Sequence, residues 1–288
     1  MPDERGRADA PAAAIRYDDD GRPPLDAGRL RAALLRPGSP WCEVSVVEEV
    51  TSTNAVLAER ARSGAPGGLV LIAERQSAGR GRLGRSWQAA ARSAVTMSVL
   101  VRPAGVPAAG WSWLPLLVGL GVAEAVRSTA GLPAAVKWPN DVLVRGRKLA
   151  GVLVERVDAG RRLPAAILGM GLNVSLTGAE LPVATATSLA LEGAATTDRE
   201  AIVVSVLGRV SAALATWEAA HGSADDLRSA YAGACDTLGR RVRVELPEGS
   251  VCEGEAVGVD GHGRLLVRDG ARVAAFAAGD VIHLGPAG

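Results

Sequence analysis

Nine residues, Gly79-Arg80-Gly81-Arg82-Leu83-Gly84-Arg85-Ser86-Trp87, hold three glycines, three arginines and a tryptophan. Such a run suits neither strand nor helix, because ordering each glycine costs conformational entropy. It reads as a mobile loop whose backbone can come close to a ligand. Its guanidinium groups can grip anionic oxygens in a two-pronged fork, so a phosphate or a carboxylate is the natural guest. Elsewhere the cations run almost wholly to arginine: of 32 basic side chains only Lys137 and Lys148 are lysine. Lysine is a compact charge whose pKa shifts readily on burial, so it stands where arginine will not serve. Both lysines fall in distinctive stretches, Val136-Lys137-Trp138-Pro139-Asn140-Asp141-Val142 and Lys148-Leu149-Ala150-Gly151-Val152-Leu153-Val154-Glu155. The first sets a cation, an amide and a carboxylate around a proline corner. Asp141 there either caps a turn or helps hold a magnesium ion.

These residues need a scaffold, and the pattern supplies one. Residues 43–50 read as a strand, followed by Ser52-Thr53-Asn54 and an amphipathic helix to Arg62. Either hydroxyl caps that helix, and both also offer donors and acceptors to a small ligand. Residues 69–74 and 94–101 are apolar strands, so the arginine loop lies between two strands. An apolar helix covers 113–130. Pro139 breaks its stretch into two strand pieces. Arg145-Gly146-Arg147 turns the second piece into the Lys148 strand as a hairpin. A further strand, 165–174, ends in Gly169-Met170-Gly171-Leu172-Asn173, whose alternating glycines leave one face open to a ligand or a backbone. Thr197-Asp198-Arg199-Glu200 reads as a capping box opening a long helix to about Ala220, with His221 as its C-terminal cap. A second helix follows near 225–233. From Thr237 onward, short alternating strands between glycines read as a small β-barrel in which His262 and His283 are structural. Residues 1–40 read as a disordered or weakly structured tail with a short helix near Leu30–Leu35. The division expected is therefore a tail at 1–40, a catalytic domain at 41–235 and a small β domain at 236–288.

Composition narrows the classes. Net charge is +1, against a general attraction to nucleic acid, and the N-terminal region lacks the periodicity of a helix-turn-helix. Cys42, Cys235 and Cys252 are scattered, with no CxxC or Cys/His cluster, which excludes a disulfide framework or zinc site. No apolar run of transmembrane length or signal peptide is evident, so a cytoplasmic protein is expected. The loop has GxGxxG spacing without a following helix, and no GxxxxGK[ST] or nucleophile elbow occurs.

Taken in order, Ser52-Thr53-Asn54, Gln76 with the arginine loop, Lys137-Trp138-Pro139-Asn140-Asp141, the Lys148 strand and Gly171-Leu172-Asn173-Val174 together resemble the biotin protein ligase family. The resemblance runs from about residue 45 to the C-terminus. It implies an α+β fold, with a mixed sheet flanked by helices in a class II synthetase-like catalytic domain and a C-terminal SH3-like β-barrel. It also implies ATP and Mg2+ as cofactors. Biotin and MgATP would give biotinyl-5′-AMP, and a lysine of a biotin carboxyl carrier domain would then take the biotin. DNA and membrane are not expected partners, and monomer and homodimer both stay open.

By the same resemblance, Lys137 and Arg82 are the catalytic candidates. Biotin would meet Ser52, Thr53, Asn54, Gln76, Gly79, Arg80, Gly81, Arg82, Lys148 and Gly151. The adenylate would meet Arg80, Arg82, Arg85, Trp87, Lys137, Asn140 and Asn173, and Asp141 is the metal candidate. Gly171 would leave room for ligand, and Trp87 would close the loop over it. Family members commonly have Pro and Gly after the loop tryptophan; Gln88-Ala89-Ala90-Ala91 here predicts a more helical or differently mobile exit. Rival readings are a lipoate–protein ligase, a repressor sensing biotinyl-AMP and a non-catalytic biotin-binding module. The full arginine run favours biotin over lipoate.

Overall fold

The computed structural model describes residues 21–158, 163–246 and 249–284. In chain order the elements are α1 (Ala27–Leu34), β1 (Glu43–Val50), α2 (Thr53–Arg62), β2 (Leu69–Gln76), β3 (Ala94–Val101) and α3 (Leu114–Ala125). Then come β4 (Ala134–Lys137), β5 (Asp141–Val144), β6 (Arg147–Val157), β7 (Ala165–Asn173), α4 (Arg199–Ala219) and α5 (Asp225–Ala234). The chain ends with β8 (Arg241–Glu245), β9 (Val251–Val259), β10 (Leu265–Asp269), β11 (Arg272–Phe276) and β12 (Asp280–His283).

Seven strands form one mixed sheet in the order β1-β2-β3-β7-β6-β5-β4, with β1 and β2 parallel and the other neighbours antiparallel. Side chains alternate across it. Val70, Ile72, Val95, Met97, Leu168 and Met170 join the core under α3 and α4, whereas Leu69, Leu71, Leu100 and Ile167 pack with Leu57 and Ala61 of α2. β3 and β7 are buried throughout, which is why they carry almost no charge. The α2 side changes character partway along. Beyond the start of α2, the same face carries Ser98, Thr96, Gly169 and Gly171 in place of Leu100 and Ile167. The sheet there is bare, and the bare patch is the floor of a cleft.

Among the described residues, two helical stretches, Ala108–Ala130 and Arg199–Ala219, are by length and composition long and apolar enough to cross a membrane, contrary to the reading that no such run exists. Here they pack against each other and the sheet, with Val210 of the second lying against Gly121 of the first. The long helix starts one residue later than expected. Asp198 is its N-cap, accepting from the N–H groups of Glu200 and Ala201, and Glu200 accepts instead from the Asp26 N–H. His221 follows the helix with φ 52°, so its backbone turns the chain in the left-handed region.

Residues 21–40 are not a weakly structured tail. Leu25, Leu30 and Leu34 are buried in the main core. Arg22 pairs with Glu180 at 2.7 Å, and Arg199 donates to the Pro23 carbonyl at 2.6 Å. The Leu25 N–H donates to Glu74, whose carboxylate is itself paired with Arg199 in the interior. The rest of the predicted tail, residues 1–20, lies outside the described residues.

The C-terminal strands form an antiparallel sheet in the order β11-β10-β9-β8-β12. This is the expected small SH3-like β domain, and among the described residues its outer strands β11 and β12 do not pair, so the sheet is not closed. Three side-chain donors stitch it to the larger sheet's layer: Ser112 Oγ to the His262 carbonyl (2.6 Å), Trp113 Nε1 to Gly261 (2.9 Å) and Trp138 Nε1 to Gly263 (2.9 Å). These bonds use the His262 turn for its backbone.

Candidate functional site

The cleft on the bare sheet face has a volume of about 320 Å³. Its floor is one rung of the sheet. Lys137 of β4 faces Asp141 of β5, Asp141 faces Gly151 of β6, Gly151 faces Gly171 of β7, and Gly171 faces Thr96 of β3. A rung therefore runs from a cation, past a carboxylate, over two glycines. The proline corner makes the first step: the Trp138–Pro139 peptide is cis, and the chain reverses between Lys137 and Asp141. A bulge at Lys148-Leu149 turns Lys148 to the same face, where its Nζ lies 2.7 Å from Asp141.

Burial lowers the Lys137 pKa from 10.5, an effect that Asp141 opposes and Lys148 reinforces. Burial also lowers the Arg82 pKa, opposed by Asp280 and then Asp141. Arg82 donates to Asn140 Oδ1 at 3.0 Å, and Asn140 Nδ2 is anchored on the Val152 carbonyl at 2.9 Å. The corner thus holds the loop as well as the lysine.

At the other end of the cleft, the start of α2 is cross-linked to the sheet. Ser52 is the N-cap, accepting from the Ala55 N–H. Gln76 Oε1 accepts from the Thr53 N–H at 2.7 Å. Ser98 Oγ lies 2.6 Å from both Thr53 Oγ1 and Asn54 Oδ1. Asn54 Nδ2 donates to Glu155 at 2.7 Å and to the Leu153 carbonyl at 3.2 Å. Glu155 also takes a hydrogen bond from Arg80 at 3.0 Å, so one carboxylate joins the α2 start to the loop.

The loop itself closes on its own backbone. Gly79 accepts from the Trp87 N–H at 2.9 Å, and a side chain on Gly79 would meet the Trp87 carbonyl at 2.3 Å. The Trp87 indole lies over Gly171 and Gly151, with Nε1 buried and without a partner among the described residues. The exit is not helical. Ser93 bonds back to Ala90, Ala90 is buried, and Arg92 takes φ 60° in a tight turn.

The structure brings almost all of the expected residues to this cleft: Ser52, Thr53, Asn54, Gln76, Arg80, Gly81, Arg82, Arg85, Trp87, Lys137, Asn140, Asp141, Lys148 and Gly151 all line it. Two do not. Gly79 serves the loop's closure. Asn173 is 3% exposed, and its Nδ2 donates to the Thr187 carbonyl at 2.9 Å. The 185–189 segment, hydrogen-bonded to Lys148 and to the Asn173 carbonyl, packs beside it. Two expectations of open space also change. The indole fills the gap at Gly171, and the Asn54 amide fills the one at Gly169. Sequence reasoning missed Ser98, Glu155, Glu245 and Asp280. Thr96 and Ser98 were legible as polar residues two apart in an apolar strand; the two acids of the C-terminal sheet carried no signal.

Among the described residues, no three His, Cys, Asp or Glu side chains gather to hold a metal. Asp141 is already paired with Lys148. This donor set suits a Mg2+ carried in on phosphates, with Asp141 as a carboxylate within reach, because Mg2+ keeps its waters and needs few protein ligands.

The glycine floor, the fixed cations and the tryptophan-tipped loop together form a cleft suited to a flat, anionic ligand. Residues 46–173 match the biotin/lipoate A/B protein ligase family, and 237–284 match the biotin protein ligase C-terminal domain. The chain is 45% identical to the biotin–[acetyl-CoA-carboxylase] ligase of Mycobacterium tuberculosis, over 91% of this chain and 97% of that protein. It is 30% identical to the bifunctional ligase/repressor BirA of Escherichia coli, over 83% and 73%. The structure of the Aquifex aeolicus biotin protein ligase in complex with biotin and ATP matches with a TM-score of 0.70 and 29% identity, covering 84% and 98%. The chain belongs to the biotin protein ligase family.

Proposed function

We propose that this chain is an ATP-dependent biotin–protein ligase whose two half-reactions both take place in the glycine-floored cleft. The observation that carries the reading is the rung itself: Lys137 and Asp141 stand at one end of two side-chain-free positions, under Trp87. Biotin, ATP and Mg2+ are its ligands. In the first step a biotin carboxylate oxygen attacks the α-phosphorus of ATP, and pyrophosphate leaves. Nucleophile and electrophile are both anionic, so fixed cations must offset their repulsion. Lys137 and Arg82 supply them, Lys137 at the reacting oxygens and Arg82 from the loop, oriented by Asn140. Mg2+, when bound with the nucleotide, supplies further charge neutralisation, with Asp141 beside it. Ser52 and Gln76 serve the polar edge of biotin, while Thr53 and Asn54, held by Ser98 and Glu155, keep that end of the cleft rigid. Trp87 and Arg80 close over the mixed anhydride and keep water from it. In the second step the amine of a carrier lysine attacks the acyl carbon, and AMP leaves. The carrier partner, a cytoplasmic location and the division into units at 41–235 and 236–288 belong to the same proposal.

The test mixes the full chain with biotin, MgATP and a carrier domain and blots for biotin on the carrier lysine. Labelling that needs both biotin and ATP is expected. Transfer of lipoate instead, or of nothing, would sink the reading.

A further inference from the structure

The outer wall of the cleft belongs to the C-terminal sheet. Glu245 of β8 and Asp280, Val281 and Ile282 of β12 line it. β12 is an edge strand paired with β8 alone, and Asp280 is its first residue. The Arg85 guanidinium is ion-paired with the Asp280 carboxylate, joining the loop to a residue 195 positions away. Half of the Arg85 side chain is exposed, so the pair sits at the cleft's mouth and not in its interior.

Two other cations of the cleft are already engaged by carboxylates, and a third by an amide. Arg80 is paired with Glu155, Lys148 with Asp141, and Arg82 rests on the neutral Asn140 amide. Carboxylate and phosphate oxygens are alternative acceptors for the same guanidinium fork. A polyphosphate entering this mouth meets an arginine already engaged by an acid that lines the same space. We propose that Asp280 competes with the phosphates of the incoming nucleotide for Arg85, so that the C-terminal sheet holds the loop down until a nucleotide takes its place. Asp280 is also the foremost opposite charge acting on Arg82, and it acts on Lys137 as well, so its field falls on the cations that a phosphate would need. Exchange of one anion for another explains how a loop can be closed without ligand and still admit one. This inference rests on the cleft being the nucleotide site.

The experiment compares the full chain with Asp280→Asn and Asp280→Glu. Two quantities are read: the KM for MgATP in carrier biotinylation, and the rate at which trypsin cuts after Arg80, Arg82 or Arg85 without nucleotide. For Asp280→Asn the KM should fall by about two- to fivefold, the range for a partly exposed ion pair. Its loop should be cut severalfold faster than wild type when ligand-free, and at the wild-type rate with biotin and MgATP bound. Asp280→Glu keeps the charge and should stay near wild type in both. A KM for Asp280→Asn that is unchanged or raised overturns the proposal, as does unchanged ligand-free cleavage. If wild type itself labels no carrier, the ligase reading fails, and the trypsin comparison still reports on the clasp.

Discussion

The Trp87 indole lies against the backbone of Gly171: a methyl group added to that glycine would sit 2.3 Å from the indole Cε2 and 2.5 Å from Cζ2. No Cβ tolerates such contacts, so the ring would have to leave the slot. Gly171→Ala should therefore keep the fold, with a stability loss of about 1–3 kcal/mol from overpacking, and should lose loop closure. Biotinyl-AMP retention through gel filtration measures this. At least a tenfold faster loss of intermediate is expected, and wild-type retention would show that the indole has no part in closure.

Lys137→Arg tests the lysine argument. Arginine keeps the charge but brings a wider, flat group into the half-buried corner beside Asp141. Adenylation should drop by about 10²–10³-fold, the magnitude of one fixed donor at a reacting oxyanion. The pH profile adds a second check. Burial lowers the Lys137 pKa from 10.5, so the charged form is lost earlier on raising pH than for a free lysine. The wild-type adenylation rate should fall on an alkaline limb below 10.5, and that limb should be missing from Lys137→Arg. A limb at or above 10.5 in wild type would contradict this role.

His283 gives stability a pH dependence. Burial, and then the Lys137 charge, push its pKa down to about 4 from 6.5. The unfolded chain takes up this proton as pH falls below 6.5, while the folded chain takes it up only near 4. Stability is thus fully present above 6.5 and lost progressively between 6.5 and 4. After a discount for its partial exposure, the loss is about 2 kcal/mol. His283→Gln keeps a partner for Thr237 and cannot titrate. Urea unfolding at pH 7.5 and 4.5 should show a smaller drop for the variant than for wild type by about that amount; equal drops would refute the shift.

Arg199→Met tests the interior pair under the N-terminal segment. Arg199 and Glu74 are 7% and 4% exposed, and the cation also holds the Pro23 carbonyl. Removing one partner strands the other, at a cost of about 3–5 kcal/mol. Glu74→Gln/Arg199→Met should recover much of it. A double variant as unstable as the sum of the singles would show that the two side chains do not act as a pair.

Much of this was legible in the sequence, for identifiable reasons. β3 runs from Ala94 to Val101 as read, because eight uncharged residues between turns can only be a buried strand. Lys137 and Lys148 stood out because the chain has no other lysine. What stayed hidden depends on distant partners. Proline and charge around residues 18–24 suggested a loose tail, but Arg22 docks on Glu180, 158 positions away. Thr197 and Glu200 fit a capping box by spacing, yet Asp198 between them is the better acceptor and Glu200 is drawn off by Asp26. Asn173 has the right parity for the cleft floor. Nothing local says that the 185–189 segment will claim its amide.

The three donors of Ser112, Trp113 and Trp138 all end on carbonyls of the 261–263 turn. The two tryptophans are at most 1% exposed, so separating the sheets would strand both indole N–H groups in an apolar layer. The C-terminal sheet is thus welded to the strand corner that carries Lys137. Cooperativity follows: calorimetry of the whole chain should show one heat-absorption peak for both sheets, because neither can melt while the other keeps its native face.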